Sequence, residues 1–238
     1  MMIAVHWLDE STWQQKKFEV IMINWNAIDT VLLDMDGTLL DLHFDNYFWM
    51  EYVPQKYAEK HSITLEQSKE ELHPRMTQIY GKLEWYCLDF WTKELDLDIV
   101  ALKHEIAHLI SFRPDADCFL KNIRDRGKKV IMITNAHRDS LSLKLERLSM
   151  AHYFDKLISS HDYGYPKETQ AFWHNLEADI GTDKERALFI DDSIPVLDSA
   201  NTYGIAHLLA IRYPDSKKGA KDTGRYQAVE DFRELIHQ

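Results

Sequence analysis

The stretch Thr30-Val31-Leu32-Leu33-Asp34-Met35-Asp36-Gly37-Thr38 decides the fold. A short apolar run that ends abruptly in an acid reads as a strand buried on both faces with a polar tip. A turn accounts for Gly37, but not for two acids spaced by one residue directly after Val-Leu-Leu. A calcium loop centred on Gly37 fails, because it needs an acid and a Glu where the chain has Leu32 and His43.

Downstream of residue 114 the chain alternates helix and strand. A helix is expected over 114–126, with Pro114 near its start and Gly127 just past its end. Strands follow over 129–134, 156–159, 187–190 and 206–211, separated by helices over 140–149, 168–178 and 194–203. A polar, Lys-containing loop begins at Pro214, and a short helix is expected around 229–236. Repeated βα units predict an α/β fold with a doubly wound parallel (Rossmann-like) sheet.

Between the first strand and this rhythm, 45–111 reads as helix throughout. Breaks near Pro54, 62–64, Gly81 and 95–97 divide it into four or five helices. The expected organisation is therefore a core formed by 29–42 and 113–238, with an all-helical cap, 43–112, inserted after strand one. An insert there is placed to act as a lid. Residues 1–28 show no clear period and read as an N-terminal extension.

Composition narrows the function classes. Of 238 residues, 45% are hydrophobic and 28% charged, the mix of a globular enzyme, so global disorder is excluded. A formal net charge of −11 repels a polyanionic backbone, so a nucleic-acid polymer is not an expected partner. No apolar run reaches the roughly 18 residues that span a bilayer, and the start of the chain lacks a signal-peptide pattern. Cys87 and Cys118 lie in apolar helical contexts and do not suggest a disulfide scaffold. The expectation is a cytoplasmic protein, a monomer or weak homodimer.

Chemistry-bearing residues gather at the predicted strand ends. They are Asp34 and Asp36 after the first strand, Thr134-Asn135 after the second, and Lys167 after the third. Asp191-Asp192-Ser193 follow the fourth. Ligands of open parallel sheets bind at the carboxyl ends of the strands, so these groups should share one crevice.

Those residues resemble the haloacid dehalogenase superfamily. Its four motifs stand in order here as Asp-Met-Asp-Gly-Thr at 34–38, Ile-Thr-Asn at 133–135, Lys167 after Tyr-Pro, and Phe-Ile-Asp-Asp-Ser at 189–193. The resemblance covers about residues 28–211 and implies a C1-type helical cap. It also implies that Asp34 is a nucleophile and Asp36 a general acid/base. Thr134 and Lys167 would hold phosphate, aided by the backbones of Met35, Asp36 and Asn135. Asp34, Asp36, Asp191 and Asp192 would serve a magnesium ion. The chemistry is consistent: a carboxylate approaching a phosphate dianion meets about 4 kcal/mol of repulsion per charge pair at ~4 Å and an effective ε of ~20. A hard divalent cation and Lys167 would offset it. A halide leaving group needs no general acid, and the true dehalogenases of the superfamily lack the second acid, so Asp36 favours phosphoryl transfer. Receiver domains use similar residues, but their paired acids come first in the chain rather than last.

Within the superfamily, LLDLHFDNYFW at 39–49, EWYCLDFW at 84–91, TNAH at 134–137, GYPKE at 164–168 and LFIDDS at 188–193 are similar to the GMP/IMP nucleotidase group. This implies a purine nucleoside 5′-monophosphate as substrate, with Asp45 and Asn46 as candidate base or ribose contacts. Asp45 is equally readable as a helix cap. The aromatics Phe44, Tyr47, Phe48, Trp85 and Trp91 are first of all helical core. His43 and His137 flank site motifs, as substrate contacts or as solvated loop residues. Two alternatives share the same residues: a phosphatase of another small phosphometabolite such as a sugar phosphate, and a non-catalytic phosphometabolite-binding regulator. A third rival is His104-Glu105-Ile106-Ala107-His108, which matches a zinc-protease string if both histidines share one helix face.

Overall fold

The computed structural model describes residues 22–236. Six parallel strands form one sheet in the order β3-β2-β1-β4-β5-β6. They are β1 (Thr30–Leu33), β2 (Lys129–Thr134), β3 (Lys156–Ser159), β4 (Ala187–Asp191), β5 (His207–Ile211) and β6 (Ala228–Val229). The expected parallel α/β core is the observed one. β6 was not anticipated: it occupies the start of the expected last helix, which shrinks to α11 (Arg233–Ile236). A two-residue strand carries no periodicity to read, and pairing with β5 overrides local pattern there.

Alternation along the strands assigns the two helix layers. Leu32, Ile131, Ile133 and Phe189 face one side, where they meet Phe172, Trp173 and Leu176 of α9 (Gln170–Ile180). Val196, Leu197 and Ala200 of α10 (Ile194–Tyr203) complete that layer. Val31, Leu33, Val130, Met132, Leu188 and Ile190 face the other side, against α7 (Ala116–Asp125) and α8 (Arg138–Leu148). Both faces of the central strands are therefore covered, which is why β1 reads as an unbroken apolar run. Trp25 and Ile28, ahead of β1, are buried in the second layer, and Lys128 Nζ donates to both of their carbonyls at 2.7 Å. The remainder of the expected N-terminal extension, before residue 22, lies outside the described residues.

Apart from isolated bridges of Leu40 with Asp36 and Phe112, the regular structure between β1 and α7 is helical. It comprises α1 (His43–Tyr47), a π-helical turn (Phe48–Tyr52), α2 (Val53–His61), α3 (Leu65–Gln78), α4 (Leu83–Tyr86), α5 (Leu88–Leu95), α6 (Ile99–Glu105) and a final 3-10 turn. The helical path runs from His43 through His61, so Pro54 does not break it. Pro54 stands at the start of α2, directly after the π-turn, where its missing N–H and its ring are tolerated. The breaks expected at 62–64 and 95–97 are left-handed residues, Ser62 and Asp96. The chain leaves and re-enters the sheet region side by side: Arg113 N donates to Leu39 O at 2.9 Å and Asp41 N to Ser111 O at 3.0 Å. α6 packs on α8, and Phe44, Phe48, Trp91, Ile99 and Leu102 share one apolar cluster with Leu33 and Met132.

Candidate active site

Strand register builds the site. Leu33 lies beside Met132 of β2 and Ile190 of β4, so the chain emerges from all three strands at the same level. Asp34, Thr134, Asn135, Asp191 and Asp192 consequently line one cleft of about 350 Å³, together with Asp36, Asp45, Asn46 and Lys167.

Lys167 is the hub. Its Nζ donates to Asp34 Oδ1 at 2.6 Å and to Asp191 Oδ2 at 2.7 Å. Its backbone is clamped from both sides: Lys167 N donates to Asn135 Oδ1, and Trp173 Nε1 donates to Lys167 O, each at 2.9 Å. The Asn135 side chain is thus spent on positioning Lys167 and, through Nδ2, on Glu168 at 2.9 Å. Tyr86 of α4 donates to the other Glu168 oxygen at 2.6 Å, linking the helical segment to the same loop. Thr134 Oγ1, buried, accepts from Ala136 N at 3.0 Å. Met35 is buried, and its carbonyl accepts from Leu39 and Leu40 N–H groups, which bends the chain back under the site.

Gly37 makes that bend possible for two reasons. Its φ of +85° is left-handed, and a Cβ there would stand 2.8 Å from Asp192 Cγ. The close approach brings the Asp192 carboxylate to the first loop. Lys221 donates to Asp192 O at 2.6 Å and to Oδ2 at 3.1 Å.

Asp34, Asp191 and Asp192 bring carboxylate oxygens within 4.8 Å of one another, all buried. Three carboxylates face two lysines, Lys167 and Lys221, so negative charge is in excess. Burial pushes Asp34 up to about 6, Lys167 opposing and Asp191 adding to it. Burial likewise pushes Asp191 to about 6, with Lys167 opposing and Asp192 adding, and it raises Asp192 against Lys221. An all-oxygen donor set with surplus negative charge fits a hard divalent cation of the magnesium type.

Asp36 sits in a separate ionic chain. Its Oδ1 accepts from Lys144 Nζ at 2.6 Å; Lys144 also donates to Asp45 Oδ2 at 2.6 Å, and Lys103 donates to Asp45 Oδ1 at 2.8 Å. Burial pushes Asp36 up to about 7, with Lys144 opposing and Asp45 and Asp34 adding. Asp45 goes the other way: burial would raise it, yet Lys103 and Lys144 together hold it well below the usual carboxylate range. Both Asp45 oxygens are taken by lysines, and Leu42, not Asp45, stands at the cap position of α1. Asn46 Nδ2 donates to the buried Asp215 at 2.6 Å, and His43 lies 3.8 Å from the same carboxylate.

No sequence motif marks Lys103, Lys144, Lys221, Asp215, Glu168 or Tyr86 as site residues. A signal existed for the first two. Lys144 follows Leu141 by three and Ser140 by four, and Lys103 follows Ile99 by four, so both occupy the buried stripe of their helices. Lys221 and Asp215 come from the polar loop, where no period marks them. The zinc-protease rival is not supported by the local structure. Glu105 ends α6, Ile106 breaks the helix, and His108 belongs to a separate 3-10 turn. Those histidines join no metal-competent group among the described residues.

The profile of the haloacid dehalogenase-like hydrolases matches residues 28–204. GMP/IMP nucleotidase YrfG of Escherichia coli K12 is 43% identical over 216 residues, covering 91% of this chain and 97% of that protein. The protein of the same name from Shigella flexneri matches to the same extent, 43% over 216 residues. Among solved structures, a HAD phosphatase from Thermococcus onnurineus superposes with a TM-score of 0.73 at 23% identity, covering 87% of this chain and 96% of that one. L-2-haloacid dehalogenase of Xanthobacter autotrophicus gives a TM-score of 0.54 at 17% identity, covering 78% of each chain. These structural likenesses show the shared fold. Among the described residues, no helix is long and apolar enough to cross a membrane.

Proposed function

The chain belongs to the haloacid dehalogenase-like hydrolases, and from that premise we propose that it is a magnesium-dependent phosphatase of purine nucleoside 5′-monophosphates of the GMP and IMP type, acting in the cytoplasm through an aspartyl-phosphate. The observation that carries the reading is Asp34 itself. It is a buried carboxylate at the tip of the central strand, held 2.6 Å from a buried lysine, with a second acid two residues on. The nucleotide part of the reading rests on the 43% identity to a GMP/IMP nucleotidase.

Asp34 Oδ attacks phosphorus, the bond from phosphorus to the ester oxygen breaks, and Asp36 delivers a proton to the leaving alkoxide. Water then attacks the phosphoryl group on Asp34, Asp36 takes its proton, and inorganic phosphate leaves with the Asp34 carboxylate restored. A pKa of Asp36 near 7 suits a group that must give and then take a proton near neutrality. Lys167, the Thr134 hydroxyl and the backbone N–H groups after Asp34 hold the phosphoryl oxygens. Magnesium, held by Asp34, Asp191, Asp192 and the Asp36 backbone, would supply charge neutralisation at the transferring group. The helices over 43–112 serve as the cap that closes over the bound ester and excludes water. Asp36 also separates this chemistry from dehalogenation, which needs no proton for its leaving group.

Phosphate release from GMP, IMP, other nucleoside monophosphates and sugar phosphates, with magnesium and with chelator, tests the reading. GMP and IMP should lead, magnesium should be required, and Asp34→Asn should release no phosphate while still binding nucleotide. Preference for a sugar phosphate would reassign the substrate. Full turnover by Asp34→Asn would remove the mechanism.

A further inference from the structure

Beside the cleft, a second set of ligand-type side chains converges that the phosphoryl chemistry does not use. Cys87, His137 and His161 bring one ligand atom each within 4.8 Å of one another. They come from distant parts of the chain. Cys87 joins α4 to α5, His137 stands at the N-terminal cap of α8, and His161 lies in the 3-10 turn after β3.

The two imidazoles meet edge to face, with centroids 5.0 Å apart and planes at 79°. His161 Nε2 is buried and has no hydrogen-bond partner, and the ring lies beside the backbone of Asn135. A buried imidazole nitrogen left without a partner, in reach of a thiol and a second imidazole, is placed to take a metal ion. Buried ring nitrogens otherwise find a partner. Asp89, one residue into α5, places its carboxylate 3.6 Å from His137 Nε2, which supplies an oxygen donor at the rim.

One thiol and two imidazoles are the donor set of zinc and its neighbours, whereas magnesium and calcium take oxygen. A tetrahedral zinc ion holds its ligand atoms roughly 3.5 Å apart. Starting from separations of at most 4.8 Å, side-chain rotation of about an ångström closes that figure. An ion has a route in, because Cys87 and His161 also line an open surface groove of about 450 Å³.

We infer that Cys87, His137 and His161 form a second cation site, selective for a zinc-class ion, that clasps the helical segment to the sheet at the margin of the cleft. Cys87 comes from the helical segment and the two histidines from the sheet segment, so an ion bound by all three ties the segments together. Its immediate neighbours Tyr86 and Leu88 line the cleft, as does His137. Filling the site therefore restrains the parts that must separate to exchange substrate for product.

Cobalt(II) reports such a site directly. Chelator-treated protein with magnesium restored is titrated with Co²⁺ and read by absorption. One equivalent should bring a thiolate-to-cobalt charge-transfer band in the near ultraviolet and tetrahedral visible bands, both displaced by Zn²⁺. Cys87→Ser should lose the charge-transfer band and His161→Ala should weaken both sets. Cys118→Ser, which alters the chain's other cysteine, and Asp192→Asn, which alters the carboxylate site, should keep them. Magnesium-dependent thermal shifts of Cys87→Ser and His161→Ala establish that these variants are folded. No charge-transfer band in wild-type protein, or a band that survives Cys87→Ser, would overturn the assignment.

Discussion

Lys144 Nζ lies 2.6 Å from Asp36 Oδ1 and the same distance from Asp45 Oδ2, so one buried ammonium joins the proposed acid/base to α1, the first helix of the proposed cap. Burial raises Asp36, and Lys144 is the main influence opposing that rise. Replacing Lys144 with Met keeps the stem and removes the charge. The Asp36 carboxyl should then stay protonated to higher pH, and the alkaline limb of kcat should move upward as kcat falls. Breaking a buried ion pair by removing one partner costs about 3–5 kcal/mol, so Tm should fall as well. A fall in Tm with an unmoved pH profile would give Lys144 a structural role only.

Gly37→Ala tests the approach of the first loop to Asp192. The new Cβ would meet Asp192 Cγ at 2.8 Å with φ at +85°, so both the loop and the carboxylate must shift. The conformational part alone is worth upward of about 1 kcal/mol. We expect a lower Tm in chelator and a larger loss of the magnesium-induced thermal shift. An unchanged magnesium response would mean that Asp192 tolerates the displacement.

If the carboxylates hold magnesium as proposed, stability should depend on pH and magnesium together. Asp34 and Asp191 have folded-state values near 6, above the ordinary carboxylate value, so the native state binds their protons more tightly than the unfolded chain. Their contribution is therefore fully present below about pH 4 and is lost as pH rises through about 6. A cation needs the deprotonated oxygens. The magnesium-induced rise in Tm should accordingly be small at pH 5 and several degrees larger at pH 7.5. Equal shifts at the two pH values would place magnesium elsewhere.

Tyr86→Phe removes the donor that ties α4 to Glu168. A hydrogen bond to a charged partner contributes about 1.5–3 kcal/mol. If the cap closes on substrate through this contact, KM should rise more than kcat falls. A change in Tm without a change in KM would make the bond a fold contact alone.

Strand positions were legible because a buried parallel strand is apolar on both faces and its polar tip marks the end: β1, β2 and β3 fall where the pattern puts them. The carboxylate cluster was legible for the same reason, since Asp34, Thr134 and Asp191 are strand tips. Pro54 misled because the rule against proline inside a helix does not foresee a π-turn that accommodates it. Lys103 and Lys144 were hidden by composition: lysine on a helix normally means a wet face, and only their stripe positions show otherwise. The Cys87, His137 and His161 cluster had no signature, because three single residues far apart in the chain have no spacing to read.

Asp34 is the proposed carrier of the phosphoryl group, and trapping it is the most direct test. Enzyme mixed with excess GMP or IMP and magnesium is quenched during turnover, reduced with borohydride and digested for mass spectrometry. An acyl phosphate is reduced to an alcohol, so the peptide containing residue 34 should carry homoserine there, and Asp36 should remain aspartate. Rapid phosphate release with residue 34 unmodified in every quenched sample would contradict it.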